Sequence, residues 1–327
     1  MAIINVTPQT NISALIAFDD VGEGDVLLLE EGIYFQTVNV VKDNIGIVAK
    51  GPKVIFDGRS ILTSAFVLSA VGGVVIEGIN MRHYRASGIL IQAGSGNRIV
   101  NNTINNMMDA GIEIVGSGGN LIWKNEICNC FEGTRLTLGS TNNWIIENMV
   151  KECPLDAFET VFSSESNNAF ISNTAAGNRG YGFNLSGSNN LVFNNFSDNN
   201  EGIFIQSGNS SMVIGNKVTG AKLAAVAIIS IYENFFAAEN KIVCNDREGI
   251  NLVSQYSTIL NNKILYNGDT GLSFFTPSAV GNLVMGNELV CNIPENIEDD
   301  GTDNVFINNI DEPCEPCQSP SDICSKP

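Results

Sequence analysis

Residues 96–102 read Gly-Asn-Arg-Ile-Val-Asn-Asn, residues 119–125 Gly-Asn-Leu-Ile-Trp-Lys-Asn, and residues 281–287 Gly-Asn-Leu-Val-Met-Gly-Asn. The asparagine that closes this phrase recurs at Asn102, Asn125, Asn148, Asn173, Asn195, Asn216, Asn240, Asn262, Asn287 and Asn309, at intervals of 21–25 residues. A period in that range is the mark of a solenoid, in which each repeat stacks on the next and none folds alone. About ten residues after each asparagine a second phrase alternates: Ile112-Glu-Ile114, Phe183-Asn-Leu185, Ile250-Asn-Leu252, Leu272-Ser-Phe274. Period-two alternation of β-branched and aromatic residues is a strand signature, and a glycine (Gly111, Gly182, Gly202, Gly249, Gly271) turns the chain just before it. Helical heptads and the spaced leucines of leucine-rich repeats are absent, so the repeat is a β-coil.

Two ends frame the array. Residues 1–70 hold a short amphipathic stretch, Asn11 to Phe18, read as a capping helix, then strands. Residues 71–310 are the repeats. Residues 311–327, DEPCEPCQSPSDICSKP, are a Pro/Cys-rich tail without apolar periodicity, read as a flexible extension.

The phrases GDVLLLEEGIY (residues 24–34) and VKDNIGIVAKGPKVIFDG (residues 41–58), followed by the Ile-x-x-Asn repeats, resemble right-handed parallel β-helix proteins of the pectin-lyase-like superfamily. The resemblance covers residues 10–310 and implies an all-β, single-stranded right-handed parallel β-helix solenoid with a short N-terminal capping helix. Coils would stack at about 4.8 Å, and the repeating asparagines would form a hydrogen-bonded ladder.

Composition narrows the function. The net charge is −18 with a pI near 4.3, and no Lys/Arg cluster exists, which argues against nucleic acid. Glycine (32) and asparagine (43) are abundant, as recurring tight turns require. No apolar run is long enough for a transmembrane helix, and the start MAIINVTPQTNIS does not read as a signal peptide. The expected setting is extracellular, or a cell or spore surface, with the chain either a mature form or delivered by another route such as lysis.

With asparagine assigned to the frame, the departures carry the chemistry. The outward position of the second strand runs Leu90, Glu113, Arg135, Glu159, Asn184, Phe204 and onward, charged early and bland late. Asp109, Glu132 and Asp156 lie just before it, and Arg82, His83 and Arg85 fall one coil earlier. Asp109, Glu113, Asp156 and Glu159 are the candidate catalytic acids, since paired carboxylates can cleave a glycosidic bond; His83, Arg82, Arg85 and Arg135 are candidates for binding substrate, with Tyr84 stacking on a sugar. The same carboxylates could instead hold Ca²⁺, or pair with Arg135 for register alone. No other cofactor is expected. The paired-aspartate and Gly-His-Gly set of polygalacturonase-like enzymes and the Asp-Pro-His-Glu phrase of mannuronan epimerases are absent. A single histidine argues against the copper role of the nitrous oxide reductase accessory proteins that share such repeats.

Trp123 and Trp144 precede successive ladder positions and read as packing or neighbour-facing residues. Cys130 and Cys153 share one offset on adjacent coils, either as a disulfide or as stacked buried thiols. Cys244 and Cys291 share an offset two coils apart and are expected to be unpaired. Cys314, Cys317 and Cys324 on the tail suggest intermolecular disulfides to protein partners or covalent anchoring to a surface. The leading expectation is therefore a non-catalytic structural or carbohydrate-binding surface protein; the alternative is a polysaccharide lyase, epimerase or glycoside hydrolase acting on the early coils.

Overall fold

The computed structural model describes residues 1–18, 21–228, 232–314 and 324. The chain winds into a parallel β-helix whose coils each contribute one short strand to each of three sheets. One coil consists of strands Arg98–Val100, Thr103–Asn105 and Ala110–Val115. We call the sheets A, B and C in that order; they contain 14, 13 and 12 strands. Every pairing is parallel and in register with the coil below. At the ordinary inter-strand spacing sheet A is roughly 60 Å tall.

The alternation read from sequence is the burial pattern. In each short strand the central residue of sheets A and B points inward, so Ile99, Ile122, Ile145 and Phe170 stack as one buried column. Inward aromatics stack on successive coils, as Phe158 does on Phe183 with ring centroids 4.9 Å apart. The helix Ile12–Ala17 buries Ile12 and Ile16, and its N-cap Asn11 accepts a hydrogen bond from the Ala14 amide. Ser13 Oγ donates to the Thr37 carbonyl and accepts from the Asn39 amide, so the helix satisfies the open edge where sheet C begins.

The asparagine ladder sits at the corner between sheets A and B. Asn125 Oδ1 accepts from both the backbone amide and the side-chain amide of Asn102, at 3.0 Å each, while Asn102 Nδ2 also donates to the Ile76 carbonyl at 3.0 Å. The pattern repeats up the rod and satisfies polar groups that burial would otherwise strand. The residue before each of the ten ladder asparagines, from Asn101 to Asn308, has positive φ. Two further ladders escaped the sequence reading. One (Asn97, Asn120, Asn143, Asn168, Asn190) lines the entry to sheet A, and another (Asn245, Asn267, Asn292) the exit from sheet B.

Cysteine pairing differs from expectation. Cys244 and Cys291 are not unpaired: Cys244 bonds Cys324, and Cys291 bonds Cys314. Offsets along the rod compare coils only with coils, so they could not reveal partners on a segment that lies outside the repeat. Two of the three tail cysteines are thereby engaged within the chain, not with another protein, and Cys317 lies outside the described residues. Cys130 and Cys153 are buried free thiols, and burial pushes the Cys153 thiol up to about 12.

Candidate functional site

The backbone register of sheet C sets Leu90, Glu113, Arg135, Glu159, Asn184 and Phe204 side by side on its outer face. The chain can enter these strands so tightly because glycines precede them: a Cβ on Gly133 would run into the carbonyl oxygen of Ala157 on the next coil. Asp109, Asp156, Tyr181 and Glu201 lie on the turns that feed these strands, and Glu132 opens the strand Glu132–Thr137.

Arg135 organises the lower half of this strip. Its guanidinium meets Asp109 through both carboxylate oxygens at 2.9 Å, Glu113 at 2.8 Å and Glu132 at 2.8 Å. Ser87 Oγ donates to the remaining oxygen of Glu113 at 2.8 Å. Burial alone would lower the guanidinium pKa, but its hydrogen bonds to Asp109 and Glu113 and the charges of Glu113 and Glu132 outweigh that and hold it cationic. Burial raises Glu132, with Arg135 opposing. Two of the candidate acids, Asp109 and Glu113, are thus consumed in a charge-assisted cluster. Arg135 is likewise occupied.

The upper half is different. Asp156 accepts from the Tyr181 amide at 2.6 Å and from the Asn184 side-chain amide at 2.8 Å; burial raises its pKa, and these two bonds temper the rise. Among the described residues, Glu159 finds no hydrogen-bond or ion-pair partner. Burial first, then the charges of Glu132 and Asp156, push its pKa up to about 7, with Arg135 pulling the other way. Beside it, Asn184 Oδ1 is buried without a partner. One coil on, Tyr181 stacks on Phe204 at 4.9 Å, and Ala224 and Ala227 complete a small apolar patch separate from the main core. Among the described residues, no group of three or more His, Cys, Asp or Glu side chains is disposed to hold a metal ion. Arg135 already fills the place where several carboxylates converge.

The remaining candidates do not join the strip. Arg82 and His83 lie at the end of a sheet B strand and both bind Asp57, at 2.9 and 3.2 Å. Burial would raise Asp57, but the Arg59 amide and these two side chains hold it below its usual value. Tyr84 is fully buried and donates to the Gln36 carbonyl, so it offers no face to a sugar. Arg85 is exposed on the turn, with no side-chain bond to the strip. Tyr181, Glu201 and Ser87 were not singled out in sequence. Continuing the pre-strand positions one coil past Asp156 finds Tyr181.

A profile for the right handed beta helix region matches residues 32–196 and 87–240, most of the chain. The protein belongs to the right-handed β-helix family. No curated protein matches the sequence. Among solved structures, the catalytic domain of a GH87 alpha-1,3-glucanase in complex with tetrasaccharides aligns with a TM-score of 0.64 at 16% identity, over 98% of this chain and 67% of that one. PfbA, a surface adhesin of Streptococcus pneumoniae, aligns with a TM-score of 0.65 at 14% identity, over 91% of this chain and 85% of the adhesin. A mannuronic acid specific polysaccharide family 6 lyase from human gut microbiota gives 0.64 at 13%, over 93% and 83%. At these identities the likeness is one of fold, and this β-helix chain spans about two thirds of the glucanase domain's length. Among the described residues, no helix is long and apolar enough to cross a membrane.

Proposed function

We propose that this β-helix protein is an extracellular carbohydrate-binding protein that holds a neutral glycan along the outer face of sheet C, centred on Glu159 and Asn184. One observation carries the reading. Asp109, Glu113, Glu132 and Asp156 are all engaged by neighbours, whereas Glu159 and the Asn184 carbonyl oxygen stand adjacent with nothing bound. A partly protonated carboxyl and an orphan carbonyl, the latter once a turn of the Asn184 side chain uncovers it, are a donor and an acceptor, the pair a sugar hydroxyl needs. The adjoining Tyr181, partly exposed and backed by buried Phe204, supplies the apolar contact that sugar ring faces favour. Fold likeness to proteins named for glucan, mannuronate and surface adhesion supports the general class and not the detail.

Charge selects the glycan. Asp109, Glu113, Glu132, Asp156, Glu159 and Glu201 face a single arginine in the strip, so a polyuronate would meet net repulsion. Titration calorimetry with neutral gluco-oligosaccharides and with oligouronates tests this directly. Neutral oligosaccharides are expected to bind, and Glu159→Gln and Asn184→Ala each to weaken them about tenfold, the worth of one hydrogen bond to a polar ligand. Preferential binding of oligouronates would overturn the proposal.

A second reading, glycoside cleavage, is favoured by Glu159 itself. A carboxyl with a pKa near 7 is suited to protonate a leaving oxygen. Asp156 lies three residues before Glu159, across the bend at Ala157 that leads into the strand Phe158–Thr160. Release of new reducing ends, lost in Glu159→Gln while binding survives, would establish it; an intact polymer after prolonged incubation would leave binding as the whole function.

A further inference from the structure

The outer face of sheet A carries a feature that the glycan strip does not use. Strands Leu121–Trp123, Trp144–Ile146, Ala169–Ile171, Leu191–Phe193, Met212–Ile214, Phe236–Ala238, Thr258–Leu260, Leu283–Met285 and Val305–Ile307 follow one another in this sheet. In the first eight the central residue is buried in the core, and the flanking residues alternate with it; all of these but Ala169 and Ala238 are at least partly exposed, and on the last strand Phe306 is exposed as well. That makes eighteen outward positions in two parallel rows, and seventeen are apolar, with Thr258 the exception. None is ionisable, in a chain of net charge −18. Several are strongly exposed, including Trp144 at 51%, Phe193 at 42% and Met212 at 37%.

A solvated face of a sheet normally alternates apolar-in with polar-out. Sheets B and C do so. Sheet B presents Glu126, Lys151, Lys263 and Glu288 outward, paired across coils, and sheet C presents its carboxylates. Sheet A alone breaks the rule over nine consecutive coils. The ladder spacing makes the strip about 40 Å long, and two outward rows with their side chains make it about 13 Å wide. Its projected area is therefore roughly 500–600 Å², at the top of what a monomer leaves bare.

We infer that this face is the contact surface for a second copy of the same chain, the two rods packing sheet A on sheet A. Three features select that occupant. Two such faces bury on the order of 1,000–1,200 Å² in projection, and side-chain relief raises the true figure into the range of stable complexes. Two bodies this acidic repel through every other face, but here they meet on side chains that carry no charge, and the ammonium of Lys124, which lies over the Trp123 ring, is a cation. The face is flat and repeats at one strand spacing along its length, so it is complementary to its own two-fold copy, as an isologous interface requires. The turns beside the strip bear mostly Asn, Gly and Ser, giving the polar rim expected around such a core.

The two tryptophans of the chain, Trp123 and Trp144, both lie on this face, so the protein carries its own probe. The test uses the full chain carrying Cys317→Ser, which excludes dimers through that thiol. Sedimentation velocity from about 0.1 to 100 μM is expected to show conversion to twice the 35.0 kDa chain mass, with tryptophan emission moving to the blue as the dimer forms. Ile214→Glu, placed near the middle of the face, is expected to remain monomeric and lose the concentration-dependent shift. Should that variant fail to fold, Met212→Gln and Trp144→Ser alter the same face without adding charge and are expected to weaken dimerisation at least tenfold. A wild-type chain still monomeric at about 100 μM would overturn the inference. So would a dimer indifferent to all three substitutions, or binding of this face to lipid vesicles or insoluble glucan in place of self-association.

Discussion

At the scale of single residues, the ladder asparagines and the residue before each do opposite energetic work. Asn216 gives and accepts hydrogen bonds on both sides: Oδ1 takes two from Asn195, while Nδ2 donates to Asn240 and the Val192 carbonyl. Asn216→Ala would leave donors on Asn195 and an acceptor on Val192 buried and unpaired, at a cost of about 3 kcal/mol; denaturant unfolding measures it. The residue before the asparagine is held in the left-handed region, where a non-glycine side chain costs roughly 1 kcal/mol. Glu239 (φ 57°) is exposed, so Glu239→Gly is expected to raise stability by about 0.5 kcal/mol after the extra unfolded-state entropy is deducted. Glu159 makes a pH prediction. Its folded pKa of about 7 stands above the ordinary 4.5, so between those values the native state holds a proton that the unfolded state releases. Stability from this group therefore falls as pH rises through that window and is unaffected below it. Glu159→Gln should match the wild type in thermal unfolding at about pH 4 and exceed it at about pH 8. Equal pH profiles for the two would show that the carboxyl is not destabilised by its surroundings.

At the scale of elements, the outward register of sheet C was legible in sequence because a strand has a period of two and the glycines mark each entry. Leu90, Glu113, Arg135 and Glu159 fall where alternation places them. What sequence could not show is which acid Arg135 reaches. A flexible side chain on one strand has acids on both sides, and only its packed conformation reveals that it spans Asp109, Glu113 and Glu132 and passes over Glu159. The two extra asparagine ladders were hidden for another reason: asparagine is common in turns, so Asn97 or Asn245 in isolation looks like ordinary turn chemistry. Arg82 and His83 lie on sheet B, apart from the strip, because proximity along the rod does not place residues on the same sheet. A series of single, double and triple variants checks the Arg135 cluster as an element. Arg135→Met alone strands three carboxylates and is expected to cost about 3 kcal/mol, whereas adding Glu113→Gln and Glu132→Gln should recover much of that loss.

For the whole molecule, a solenoid transmits stability only between neighbours, so a staple acts where it is driven. Cys291 lies at the end of a sheet B strand one coil from the last, and its bond to Cys314 closes the final coil onto it. That coil needs help: Val305, Phe306, Ile307 and Ile310 are all exposed, with no strand among the described residues stacked above them, and residues 295–312 carry Glu295, Glu298, Asp299, Asp300, Asp303, Asp311 and Glu312 without one basic residue. Closing a loop with sequence separation 23 removes about 3 kcal/mol of unfolded-state freedom in the chain-entropy account. Cys291→Ser with Cys314→Ser should therefore release the last coil while leaving the middle of the rod intact. Hydrogen exchange reports this directly: amides in strands Glu288–Val290 and Ile310–Glu312 should lose protection by orders of magnitude, and those in Ile145's column should not change. Loss of protection along the entire rod would mean that the β-helix unfolds as one cooperative unit, and the nearest-neighbour description would have to be abandoned. Because acid crowding is a second cause of fraying at that end, raising the salt concentration should partly restore protection in the double variant, while a purely entropic staple would show no such salt dependence.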